Sequence, residues 1–553
     1  MLFSGIPIHS RFSHPTRMNQ LPVALRGTLA LWLVSACQQQ APAPLLTTAV
    51  HAQDAFACTA PAEGTTYTIY REVSDGTDIG DAMPYYDAAS NSTTIYYLKD
   101  VWNNATNQHH PWYAFTTSNF YSYAEVAGGE LLGSSAATCA QDFAIGTGSV
   151  VQRNGTYYGF YTGNNPNAAS CTNQKEGIML ATAPGLGQKF TKQTSFATIY
   201  APAGQGYDAN DNFRDPYVYY DAGSSQYVLL VAARKDVGGG NFKGVIARYT
   251  SPDVLTWAYQ GVLYDGGTDN FFNMECPSFF KLGSTYYLLF SDQGSQQVFY
   301  RKSSSPTGPW SKPSGSARLD GNGFYAARAI TDKYGDNYLF AWVNRQQNNA
   351  DTGSRLFGGN LVVHKFYQQA NGDLAVTIPH TLKSYQEAKA VSLTPAAQTG
   401  SVATSAGSTY ALTSTSSLSS LAFNPIQAAR FKISTTVNYS SAGKDFGFML
   451  GACDGTNNFY SLRFVPSQNR FSLDKVSRSS LTTSTVASTD VPFSLSPNTD
   501  YALTIVEENS VVVVYLNDVA ALTCRVYRAP QASWGLFADN ATATFKNLTV
   551  TVP

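Results

Sequence analysis

The chain has 553 residues, of which only 13% are charged and 13% aromatic, and its formal net charge is −1. That length exceeds what one ordinary hydrophobic core organises, so two domains are expected. A near-neutral balance without any run of Lys or Arg excludes the clustered basic face that nucleic-acid binding needs. The first apolar stretch, Leu21 to Ala36, contains Arg26, and its core from Thr28 is too short to span a bilayer. It reads as a signal peptide, with Met18 as an alternative start. Leu33-Val34-Ser35-Ala36-Cys37 resembles a bacterial lipobox, which would make Cys37 a lipidated first residue; ordinary cleavage near Ala36 or Ala52 is the alternative. The sequence thus points to a secreted, periplasmic or surface protein whose contact with a membrane is a lipid anchor. Gln38 to Gln53 then forms a tether of Pro, Ala, Gln and Thr, so residues 1–53 are read as leader and tether.

Besides Cys37 the chain carries Cys58, Cys139, Cys171, Cys276, Cys453 and Cys524. An exported chain can oxidise these. Pairing within one domain favours Cys139 with Cys171 and Cys453 with Cys524, while Cys276 reads as a buried free thiol. No pair has CxxC spacing, which argues against zinc, and neither metal nor cofactor is expected.

Between Thr65 and Gln386 a short aromatic strand recurs after a turn. It appears as Thr94-Ile95-Tyr96-Tyr97-Leu98, Thr156-Tyr157-Tyr158-Gly159-Phe160-Tyr161, Gln226-Tyr227-Val228-Leu229-Leu230, Thr285-Tyr286-Tyr287-Leu288-Leu289-Phe290 and Asn337-Tyr338-Leu339-Phe340-Ala341-Trp342. The intervals between equivalent tyrosines are 61, 70, 59 and 52 residues. Each interval holds about four strands, the size of a propeller blade, and is wider than the roughly 8–12 residues between sandwich turns. The fold class is therefore all-β, with a five-bladed β-propeller over residues 54–388. A second strand precedes each aromatic one and should line the central channel. At its entrance stand Gly80-Asp81-Ala82-Met83-Pro84 in blade one, Arg214-Asp215-Pro216 in blade three and Glu275-Cys276-Pro277 in blade four. Blades two and five carry Gly146-Thr147-Gly148 and Phe324-Tyr325-Ala326 there. A lone acid near a turn is ordinarily a solvated loop residue, but three at matching places in a repeat should meet at one channel mouth. Glycosidic hydrolysis needs such a group, because one carboxyl must hold a proton while another attacks or activates water.

Around these acids, Arg214 could hold Asp215 ionised or clamp sugar hydroxyls. Trp112 and Tyr325 could stack on a sugar ring, although core packing is the ordinary role of such rings. Thr147, Asp142 and Asp100 are further candidates for hydroxyl contacts. From Ser392 onward the chain turns Ser/Thr-rich. Arg430 to Tyr439, Gly447 to Ala452, Phe459 to Val465, Arg470 to Val476, Tyr501 to Glu507, Val511 to Leu516 and Ser533 to Phe537 then read as alternating strands. They predict a C-terminal β-sandwich over 389–553.

The blocks at Asp81, Arg214-Asp215-Pro216 and Glu275-Cys276-Pro277 resemble the three signature blocks of glycoside hydrolase family 32, the invertases, inulinases and levanases. Asp320-Gly321-Asn322-Gly323-Phe324-Tyr325-Ala326 and Trp112 to Phe120 are similar to two further family segments. The resemblance implies Asp81 as nucleophile, Glu275 as general acid/base and Asp215 as a transition-state stabiliser on fructose hydroxyls, in a retaining reaction on inulin, levan or sucrose. It departs from the family where only the Asp of the nucleophile block is kept, where Leu98 replaces a Gln with Asp100 close behind, and at Gly146-Thr147-Gly148-Ser149. Those positions contact substrate in the family. The alternatives are a fructosyltransferase on the same scaffold, an inverting pentosidase on a related propeller, and an inert carbohydrate-binding propeller. Either a monomer or a dimer is compatible with the sequence.

Overall fold

A computed structural model describes residues 66–553, apart from 105–106, 172–173, 484–488, 528–532 and the side chains of 102–108. The leader, the tether, Cys37 and Cys58 lie outside the described residues. No helix among the described residues is long and apolar enough to cross a membrane.

Five antiparallel blades follow one another. Blade one consists of β1 (Ile79–Asp87), β2 (Ser92–Lys99), β3 (Trp112–Thr117) and β4 (Ala124–Glu125). Blade two has β5 (Ala144–Arg153), β6 (Thr156–Asn164), β7 (Glu176–Ala183) and β8 (Thr191–Lys192). Blade three has β9 (Phe213–Asp221), β10 (Gln226–Asp236), β11 (Phe242–Ser251) and β12 (Ala258–Tyr264). Blade four has β13 (Met274–Leu282), β14 (Thr285–Asp292) and β15 (Gln297–Ser303). Blade five has β16 (Tyr325–Thr331), β17 (Asn337–Gln346), β18 (Arg355–Gln368) and β19 (Leu374–Thr377).

The recurrent aromatic strand is the second strand of every blade. Neighbouring blades cover it on both faces, so β2 reads as an unbroken apolar run rather than an alternation, with Thr93 to Leu98 all buried. The turns before these strands supply the required backbone. Asn154 and Gly155 both take positive φ (51° and 81°), and Arg153 pairs with Thr156 across them, which is the two-residue hairpin that matches strand twist. Aromatic pairs seal the blade interfaces in sequence: Tyr85 on Tyr157, Phe160 on Trp257, Tyr219 on Phe279, Phe280 on Phe366, and Phe120 on Phe340, with centroids 4.7–5.9 Å apart. The last of these closes the ring from blade five back to blade one. There the Ile79–Gly359 pairing also joins the two blades into one sheet.

The C-terminal domain is a β-sandwich. Two strands expected separately, Arg430 to Tyr439 and Gly447 to Ala452, form one long strand, Arg430–Ala452, because bulges bend it without ending it. It pairs along its length with Ser533–Val552, and a strand over Ala520–Arg525 that the alternation did not suggest completes one edge. The domain is not simply appended. Leu319, Val362, Val506, Val513 and Tyr515 share one hydrophobic cluster across the boundary. Within it Asp320 accepts hydrogen bonds from the backbone N–H and hydroxyl of Thr523 and faces the His364 ring at 2.8 Å.

The expected Cys139–Cys171 disulfide is present. The expected Cys453–Cys524 pair is not: Cys453 is disulfide-bonded, whereas Cys524 is a buried free thiol facing the Val512 carbonyl inside the sandwich. Cys276 is the second buried free thiol among the described residues, as expected.

Candidate active site

Every inner strand carries the same irregularity. The register of β1 with β2 breaks between Gly80 and Met83, that of β5 between Ile145 and Gly148, of β9 between Arg214 and Tyr217, of β13 between Glu275 and Ser278, and of β16 between Tyr325 and Arg328. A bulge sets two residues against one and re-aims the side chains beside it. Consecutive residues that would point to opposite faces of a regular strand are thus both turned toward the channel mouth. Asp215, Cys276 and Ala326 occupy the bulge with φ of 59°, 49° and 59°. In this register Asp81 is equivalent to Asp215, but Glu275 stands one residue earlier and is equivalent to Arg214 and Tyr325. The three acids therefore sit in two adjacent layers rather than at one repeated position.

The mouth brings the acids together. Carboxylate oxygens of Asp81 and Asp215 and the Sγ of Cys276 lie within 4.8 Å of one another. One Asp81 oxygen accepts from the Thr147 hydroxyl and the other from the Trp342 indole N–H at 2.9 Å. Asp215 accepts from the Cys276 backbone N–H at 3.0 Å, and its own N–H donates to the Thr162 hydroxyl. Glu275 accepts the Tyr325 hydroxyl on one oxygen and the Arg214 Nε and Nη2 on the other, at 3.1 and 2.6 Å. Burial pushes the Glu275 carboxyl above the ordinary carboxylate range against the pull of Arg214, with the Asp81 charge adding to the rise. Burial, then the Glu275 charge, pushes Asp215 up to about 7.

Arg214 is placed differently from the expectation. Its five N–H bonds are all taken: Nε by Glu275, Nη1 by Glu176 and Asn212, and Nη2 by Glu275 and Gln293. No donor is left for a sugar hydroxyl; its hydrogen bonds go to Glu275 rather than Asp215, while its charge still opposes the rise at Asp215, as expected. Trp112 is 0% exposed, with its ring against Tyr96, Tyr161 and Phe190 and its N–H on the Gly146 carbonyl, so it offers no face to a sugar. Tyr325 is at the site but only 5% exposed. Its ring is edge-on to Trp342, and its contribution is the hydroxyl on Glu275. Thr147 likewise holds Asp81. Asp142 is closed off in blade two between Lys192 (2.5 Å) and the Tyr161 hydroxyl. Asp100 meets the His110 ring at 3.1 Å, and that ring stacks on Phe357 beside Trp342. Leu98 packs into the core with Met83 and Trp112. Sequence reasoning missed Trp342, Glu176, Gln293 and Phe357. Trp342 ends the fifth aromatic strand, and the strand's direction, running back toward the mouth, was the signal that could have found it.

Comparison with known proteins now decides the family. The profile described as "Glycosyl hydrolases family 32 N-terminal domain" matches residues 90–368, half of the chain, and that described as "GH32, BT1760-like, C-terminal domain" matches residues 372–550. The chain belongs to glycoside hydrolase family 32. Within the family-32 chain, 175 residues are 27% identical to the raffinose invertase of Escherichia coli, covering 30% of the chain and 36% of that enzyme. A sucrose-6-phosphate hydrolase of Escherichia coli is 28% identical over 188 residues, 32% of the chain and 38% of the relative. The chain thus spans little more than a third of the length of these curated relatives. The fold as a whole is similar to that of Aspergillus kawachii β-fructofuranosidase complexed with glycerol. The TM-score is 0.67 at 16% identity, covering 89% of the family-32 chain and 97% of that structure.

Proposed function

We propose that this protein hydrolyses β-fructofuranosidic bonds, in sucrose or fructans, with retention of configuration. The observation that carries the reading is the convergence of Asp81, Asp215 and Glu275 on one mouth, with Glu275 alone gripped by both a guanidinium and a phenol. In the first step the Asp81 carboxylate attacks the anomeric carbon of a fructosyl unit. The bond to the leaving oxygen breaks, and Glu275 gives that oxygen its proton. In the second step Glu275, now a carboxylate, takes a proton from water, whose oxygen displaces Asp81 and releases fructose. Thr147 and Trp342 hold the Asp81 carboxylate in aim, and Asp215, with an oxygen within 4.8 Å of an Asp81 oxygen, accepts hydrogen bonds from fructose hydroxyls as charge develops at the ring. The raffinose and sucrose-6-phosphate specificities named for the relatives support a fructosyl substrate class.

The deciding experiment incubates the protein with sucrose, inulin and levan, separates the products by chromatography, and follows the first-formed fructose anomer by NMR. Fructose or short fructans released initially as the β-anomer are expected. Release of the opposite anomer would remove the covalent role of Asp81, and no product from any of the three would remove the hydrolase reading. We also propose export of the enzyme, on the Leu21 to Ala36 segment and the Cys139–Cys171 disulfide, with Cys37 as lipid acceptor. Cys37→Ala should then move the protein from the membrane fraction to the soluble fraction.

A further inference from the structure

Glu176 opens β7 at the channel end of blade two and is buried, with 5% of its surface exposed. Its Oε2 accepts the Phe213 backbone N–H at 2.7 Å and its Oε1 the Asn164 amide at 3.2 Å; both oxygens lie 3.3–3.4 Å from Arg214 Nη1. The other edge of the same guanidinium holds Glu275. One partly buried positive charge therefore faces two buried carboxylates from two different blades. Asp211 stands 3.9 Å from Nη1, but it is itself paired with Lys175 at 2.9 Å. Two buried carboxylates cannot both be neutralised by one cation, so one of them is favoured in its protonated form. The reaction proposed above starts with a proton on Glu275.

We propose that Glu176 is a positioning residue for the acid/base: it divides Arg214 with Glu275 and so leaves Glu275 able to keep its proton until a leaving oxygen needs it. The inference rests on Glu275 being the acid/base. Glu275 faces Arg214, Tyr325, Asp81, Asp215 and the Cys276 thiol, while Glu176 faces Arg214, Asp211 and Lys175. Arg234 lies near enough to Arg214 to feel its charge. Burial raises Glu176 as well as Glu275, with Arg214 opposing the rise in both, as expected of two anions sharing one counter-charge.

The test is kcat/KM against pH on the fructosyl substrate that is turned over, with a thermal melt of each variant as a check on folding. Glu176→Gln keeps an oxygen for Arg214 and removes the competing charge. Glu275 should then lose its proton more readily, moving the basic limb about one pH unit toward acid, a loss of about tenfold on the alkaline side. Glu176→Asp, which restores the charge, should return the limb to its wild-type place. Asn212→Asp adds a competitor at the same Nη1 and should move the limb toward alkali. It tests the idea even where Glu176→Gln does not fold. A limb that stays fixed in the folded variants while the rates fall, or one that moves toward alkali in Glu176→Gln, overturns the proposal. Glu275→Ala separates the two claims. If the basic limb survives there, the acid/base reading itself has failed; if it vanishes there but ignores Glu176 and Asn212, only the role of Glu176 has failed.

Discussion

Asp215 has its backbone in the left-handed region at φ 59° and is 4% exposed, with a pKa pushed up to about 7. Both features oppose stability. The left-handed conformation costs on the order of 1–3 kcal/mol for a residue other than glycine. The raised pKa has a defined pH signature. The unfolded Asp releases its proton near pH 3.9 and the folded one near 7, so the stability present below pH 4 is lost as pH rises through 7. Asp215→Asn does not titrate and can still accept the Cys276 N–H. It should unfold at higher temperature than wild type at pH 8, by on the order of 4 kcal/mol in stability, and show no such gain at pH 4. A melt series across pH checks both ends. In the chemistry, Glu275→Gln should lower kcat by about 10²–10⁴-fold, with Asp81→Asn at least as damaging. Trp342→Phe keeps a ring against Tyr325 but removes the N–H on Asp81. The loss of a hydrogen bond to a charged group, about 1.5–3 kcal/mol, predicts a fall in kcat of about tenfold or more with folding intact.

The bulged first strand is the unit from which the site is built. Its aromatic neighbour was readable because a strand covered on both faces must be apolar throughout and must follow a turn, which Asn154-Gly155 and its counterparts announce. The acids were readable because each stands before Met83-Pro84, Pro216 or Pro277 at a strand entrance. What the one-dimensional pattern does not carry is the register shift. Without it, Arg214 and Asp215 alternate to opposite faces, and nothing in the pattern tells that Arg214 reaches Glu275 of the next blade. Trp112 misled for a related reason: a Trp at a strand start near the mouth looks like a platform, yet packing of blade one against blade two decides where its ring goes. Gly148 shows how tightly that packing is set. A Cβ there would lie 2.0 Å from the Phe160 carbonyl oxygen and 2.5 Å from the Trp112 ring. Gly148→Ala should therefore force β5 from β6, cost about 1–3 kcal/mol, and disturb Thr147 and its hold on Asp81. A lower melting temperature together with a fall in turnover is expected; unchanged values for both would mean that blade two is softer than its contacts imply.

Across the whole molecule, propeller and sandwich share apolar core and a buried polar knot. Asp320, His364 and Thr523 are buried and satisfy one another. Asp320→Ala leaves His364 Nε2 and the Thr523 N–H without their carboxylate, while His364 Nδ1 keeps the Tyr515 hydroxyl at 3.0 Å, and should cost about 1–3 kcal/mol. Differential scanning calorimetry should still show one transition at a lower temperature, since both domains depend on the same contacts. The Asp320 block was visible in the sequence as a family segment, but its purpose was not, because its partner stands 203 residues away. A similar span separates the halves of the reaction centre. Asp81 in the first blade is held by Trp342 in the last, 261 positions later, at the seam where the ring closes on itself. Most of the chain must have left the ribosome before Asp81 has its partner, and such distant contacts are the slowest to form. On dilution from denaturant, sugar cleavage should thus reappear only after the bulk of strand content has returned, so that the first molecule of fructose released marks a closed circle.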